Sequence, residues 1–186
     1  MKQGQPRQAI HREDYTPYPW HLDEVRLDFQ IHESHTEVRA ELDLQARSAE
    51  AGPLELAGSN LELVSLAVDG RVLEDSEYSV EGESLVIAAV PASATLTTLV
   101  RIRPAENSAL EGLYQSGDFL LTQCEPEGFR TITWFPDRPD VMTRYTVRLE
   151  ACRERYPVLL SNGNRVDAGE AGTGRHWVRW EDPFPK

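Results

Sequence analysis

The sequence is short of basic residues, of cysteine and of long apolar runs. Lys and Arg number 19 against 31 Asp and Glu, a formal net charge of −12. A nucleic-acid reader needs a basic face to displace counterions from phosphates, and no such stretch is available. Acidity of this size serves solubility first, and it disfavours an anionic membrane surface as a partner. No run of about 18 apolar residues occurs, so nothing reads as a membrane-spanning helix. Cys124 and Cys152 lie far apart with no Cys-x-x-Cys. They therefore outline neither a disulfide framework nor a thiolate metal site, and read as two reduced thiols. The opening MKQGQPRQAIHREDYTPYPW lacks the apolar stretch of about 7–15 residues found in an export signal. Together these point to a cytosolic, soluble protein. Helical periodicity is missing too, and the glycines of GEAGTG (169–174) lack the lysine of a phosphate loop. No serine sits in a Gly-x-Ser-x-Gly context.

What is present is two-residue alternation. Val25, Leu27, Phe29 and Ile31 alternate with polar residues, as do Val38, Ala40, Leu42 and Leu44, with HESH (32–35) as the connecting hairpin. Strand-like segments continue at 61–70, 71–73, 78–81, 84–90, 95–103, 119–122, 130–135, 143–151, 157–161 and 175–180. FPDRPDVM (135–142) has room for one short helical turn. Roughly a dozen short strands punctuated by Gly, Pro, Asn and Asp predict an all-β, antiparallel sandwich. Residues 1–19 read as an arm and 20–186 as a single domain. WEDPFPK closes the sequence straight after a strand-like segment, as a domain cut from a longer chain would.

HESH holds two histidines three apart, where a zinc-binding helix needs His-Glu-x-x-His to bring both imidazoles to one face. A hairpin strand would point them to opposite faces, so a solvated turn is expected. His11, His21 and His176 stand singly, and no metal site can be assembled. Cys124 lies among acids, which raise a thiol's pKa and oppose nucleophilic use.

TQCEPEGF (122–129) is harder to explain as a plain connection. Glu125 and Glu127 flank Pro126, and three readings are open: a solvated bend, ion pairs with Arg130, Arg138 or Arg144, or a grip on a cationic ligand. In the last, Gln123 and Glu125, two apart in an extended chain, share one face and hold an ammonium together.

LEGLYQSGDFLLTQCEPEGFRTITWFPDRPDVMTRYTVRLEA (110–151), YPVLLSNGN (156–164) and GRHWVRWEDPFPK (174–186) resemble the N-terminal domain of the bacterial aminopeptidase N family. These are zinc-dependent aminopeptidases with a thermolysin-like catalytic domain. The resemblance implies an open, saddle-shaped β-sandwich covering one side of the active site. It implies that Gln123 and Glu125 bind the substrate's free α-amine, while Glu127, Gly128 and Phe129 shape the loop. The Gly-Ala-Met-Glu-Asn and His-Glu-x-x-His motifs that carry the family's chemistry are absent here. The implied chain holds no metal of its own and is inactive alone; zinc belongs to the parent enzyme. Its partners would be the catalytic domain of the same polypeptide and the N-terminus of a peptide substrate. Trp134, Phe135 and Phe184 would be exposed at the domain interface. A stand-alone β-sandwich binding module is the alternative, and it requires no large apolar patch near the C-terminus.

Overall fold

The computed structural model describes residues 11–49 and 51–186. Its strands in chain order are β1 (Trp20–Ile31), β2 (Thr36–Ala46), β3 (Leu54–Ala57), β4 (Glu62–Val68), β5 (Arg71–Val72), β6 (Tyr78–Glu81) and β7 (Ser84–Ile87). There follow β8 (Ser93–Ile102), β9 (Gly112–Ser116), β10 (Phe119–Gln123), β11 (Arg144–Cys152), β12 (Asn164–Glu170) and β13 (Arg175–Asp182). Eight form one sheet in the order β12-β13-β11-β1-β2-β8-β4-β5; β3, β7 and β6 form a second, and β9 and β10 a hairpin. Helical structure among the described residues is confined to three-residue 3-10 turns, and 135–142 contains none. The fold is all-β, as alternation predicts. One pairing departs from the antiparallel rule: β1 and β11 run parallel, with Leu27 opposite Val147. That pairing needs a long crossover, and everything between β2 and β11 supplies it.

Alternation sorts the large sheet into two faces. Val25, Leu27 and Phe29 of β1, Val38, Ala40 and Leu42 of β2, and Leu96 and Val100 of β8 point inward and are buried. Against them pack Leu54, Leu56, Leu85 and Ile87 of the small sheet, each at most 2% exposed. The outer face carries charge in pairs that run mostly across strands. Arg26 bonds Glu41 and Asp43, Arg148 bonds Asp28 and Glu150, and Arg101 bonds Glu37 and Glu62. Such half-exposed pairs contribute little individually, but they keep that face wet and leave burial to the other.

Three expectations fail for physical reasons. RTITWF alternates in sequence but is not a strand. Phe129–Thr131 is a 3-10 turn, and residues 132–136 are all buried, so the alternation marks no solvent face. Trp134 and Phe135 are only 3% and 4% exposed and fill the space between the two sheets, rather than standing at an interface. Phe135 also makes a bridge with Ala57, each N–H donating to the other's carbonyl. PVLLS is not paired into a ladder, although it keeps its alternation, with Leu159 buried and Val158 and Leu160 exposed. Conversely β12 is an exposed edge strand, and its sequence has no apolar row to betray it.

Of the arm expected at 1–19, residues 1–10 lie outside the described residues. Tyr18 is 5% exposed and joins the core; its N–H donates to Asp140 and its hydroxyl to the Glu55 carbonyl. The Arg138 guanidinium, with that N–H, holds the Asp140 carboxyl down at about 2.

Gly58 lies flat against the Trp134 ring, and a Cβ there would fall inside the ring's van der Waals envelope. Gly58→Ala is therefore expected to lower stability by about 1–3 kcal/mol through overpacking. Urea unfolding of the variant beside the parent checks this, and an unchanged midpoint would contradict it.

Candidate functional site

β10 pairs antiparallel with β9 and ends at Gln123, opposite Gly112. The chain then closes a turn, with the Gly128 N–H donating to the Cys124 carbonyl at 2.9 Å, before the 3-10 turn at Phe129–Thr131. The Glu125–Pro126 peptide is cis, and Glu127 sits at φ 66°. Two glycines permit this path. A Cβ on Gly128 would lie 2.7 Å from the Gln123 carbonyl oxygen. Gly112, at φ 69°, leaves room for the Thr131 hydroxyl, which donates to the Gly128 carbonyl at 2.8 Å.

The segment divides its side chains cleanly. Gln123, Glu125, Pro126 and Glu127 are exposed, whereas Cys124 is half-buried and Gly128 buried. Phe129 packs edge-on against Phe135 and Tyr145, with ring centroids 4.8 and 6.0 Å away. Gln123 and Glu125 are brought together by this turn rather than by a strand pleat. The Gln123 side-chain Nε2 donates to the Glu125 carbonyl at 3.3 Å, which directs the amide oxygen elsewhere.

The basic residues nearby are already committed. Arg138 bonds Asp140, Arg144 bonds Asp23, and Arg130 bonds Asp137 and, at 3.4 Å, Glu127. The ion-pair reading therefore holds for Glu127. Glu125 has no salt bridge to any basic residue among the described residues. It is an exposed carboxylate on a turn anchored from below, beside an amide acceptor, and that combination suits a cationic group with several N–H donors.

No three His, Cys, Asp or Glu converge as a metal would require among the described residues. His32 and His35 do not point to opposite faces as expected. They stack with centroids 4.8 Å apart, because the two-residue tip folds position 35 back over 32. Stacked rings cannot aim both nitrogens at one ion, and burial with the neighbouring His35 and Arg175 lowers the His32 pKa. Sequence reasoning missed Arg130 and Asp137 as the anchor of the turn. The only available signal was their position on either side of the buried 132–136 run.

Residues 18–186 match the Peptidase M1 N-terminal domain family, and the chain belongs to it. It is 51% identical over 179 residues to aminopeptidase N of Caulobacter vibrioides, covering 96% of this chain and 21% of that protein. With aminopeptidase N of Escherichia coli the identity is 46% over 182 residues, covering 98% and 21%. The chain thus spans about a fifth of the length of these curated relatives. Among solved structures it is similar to Legionella pneumophila aminopeptidase A in complex with aspartic acid. There the TM-score is 0.86 at 33% identity, over 94% of this chain and 21% of that one. An M1 zinc metallopeptidase from Deinococcus radiodurans shares the fold at TM-score 0.74 and 14% identity, over 90% and 40%.

Burial, with a smaller contribution from the Asp137 charge, pushes the Cys124 thiol up to about 11. Because only the thiolate reacts, Cys124 alkylation should keep climbing about tenfold per pH unit beyond pH 9 and level off only near 11. Exposed Cys152 serves as the internal standard. A Cys124 plateau at pH 9 by peptide mass spectrometry would contradict the buried placement of its thiol.

Proposed function

We propose that this chain is the N-terminal domain of a zinc aminopeptidase that removes N-terminal residues from peptides. In this reading it caps one side of the active site and binds the substrate's α-ammonium through Gln123 and Glu125. The observation that carries it is the Glu125 carboxylate, unpaired among the described residues and presented beside the Gln123 amide on an anchored turn, while Arg130, Arg138 and Arg144 are engaged with other carboxylates. The relatives named aminopeptidase N support the activity. The Legionella relative's complex with aspartic acid, a molecule that carries an α-ammonium, supports the ligand.

Exopeptidase selectivity requires the first ammonium to be held a set distance from the scissile bond. A carboxylate meets the charge, an amide oxygen adds direction, and both raise the population of correctly placed substrate. The chain contributes binding and positioning only, and alone it hydrolyses nothing. The zinc of the parent enzyme is held by the catalytic domain of the same polypeptide. Phe184 (74% exposed), Phe119 (71%) and Leu160 (72%) are large apolar side chains at the surface, of the kind such a domain would cover. Two unpaired thiols are in keeping with a cytoplasmic location.

Glu125→Gln in the full-length protein should lower kcat/KM for simple aminoacyl substrates about 10- to 100-fold, chiefly through KM. Steady-state kinetics reads this directly. An unchanged kcat/KM would remove Glu125 from the site.

A further inference from the structure

Arg130 is tied into the fold at four points. Its backbone N–H and its Nε both donate to Asp137 Oδ2 at 3.1 Å, and Nη2 donates to the Asp137 carbonyl at 3.1 Å. Its own carbonyl accepts from the Ser59 N–H at 2.9 Å. Both side chains are largely sheltered, 19% and 16% exposed, so the pair is screened less than a surface bridge. Asp137 is itself held from below, its N–H donating to the Phe135 carbonyl at 2.8 Å. Through these bonds the turn at 123–128 rests on the same residues that fill the core.

Arg130 also reaches outward to Glu127 at 3.4 Å. Glu127 is a non-glycine residue in the left-handed region, a conformation that L-residues avoid unless their surroundings hold it. Of the two carboxylates flanking one proline, Glu127 thereby has a cation within reach, and Glu125 has none among the described residues.

We propose that Arg130 and Asp137 are positioning residues for the ammonium site: they fix the base of the 123–128 turn and withdraw Glu127 from competition, so that Glu125 alone presents its charge. This role rests on the reading of Gln123 and Glu125 given above. Neither residue touches substrate; they act through the turn they hold.

Arg130→Gln is the informative variant. Burial is the main cause that keeps the Cys124 thiol protonated, and removing a cation does nothing to ease it, so faster alkylation reports loosening of the turn. In this chain, Cys124 alkylation should accelerate about tenfold while Cys152 keeps its rate. In the full-length protein KM for an aminoacyl substrate should rise about tenfold with kcat within about twofold of the parent. Arg130→Lys keeps the charge but not the fork, and should show the same changes in smaller measure. An Arg130→Gln chain whose Cys124 stays as slow as the parent overturns the proposal. So does acceleration of both cysteines together, which would mean general unfolding. It is also overturned if Cys124 accelerates and KM stays put while Glu125→Gln raises KM. If Glu125→Gln itself leaves kcat/KM unchanged, the ammonium reading fails and this role fails with it. The Cys124 rate still reports separately whether Arg130 holds the turn.

Discussion

Packing of Trp134 and Phe135 between the two sheets is the constraint on which the rest depends. The eight-stranded sheet buries one apolar face, and the three-stranded sheet covers only part of it. The run from Ile132 to Pro136, buried at every residue, fills the remainder and is pinned by the Phe135–Ala57 bridge and by Trp134 lying against Gly58. On the N-terminal side of this buried run the chain comes out to the surface in the turn at 123–128, where Glu125, Pro126 and Glu127 are exposed. The candidate site thus sits where the chain leaves the core, tied to it through the Arg130–Asp137 bonds.

Electrostatics then decides what the turn can do. The chain is strongly acidic, yet most of its arginines are spent on specific carboxylates, many of them across strands of the outer sheet face. Around the turn Arg130, Arg138 and Arg144 each have a carboxylate partner, and among the described residues Glu125 has no basic one. Net charge alone marks no residue, whereas the pattern of pairing singles out one carboxylate. A desolvating ammonium needs such a charge-assisted acceptor.

Much of the fold was legible in sequence because half-buried strands advertise themselves. β1, β2, β8 and β13 have one wet and one dry face, and their alternation says so. The failures share a cause. β12 is exposed on nearly every residue and 132–136 is buried on every residue, so in neither does alternation report a face. The parallel pairing of β1 with β11 was out of reach because it joins segments far apart in the chain. At the site, Gln123 and Glu125 stood out as polar residues where a connection between apolar strands needs none. Their support did not, because Arg130 and Asp137 look like ordinary surface charges until the fold shelters them. Trp134 and Phe135 were misjudged for the opposite reason: aromatic residues in a motif suggest an interface, and here they are the core.

The most direct test of the central claim is a crystal structure of the full-length protein with a free amino acid bound. The account predicts the α-ammonium nitrogen within about 2.7–3.2 Å of a Glu125 carboxylate oxygen, with the Gln123 amide oxygen as a second acceptor. An ammonium held by other residues, with Glu125 left in solvent or paired to an arginine, would contradict it.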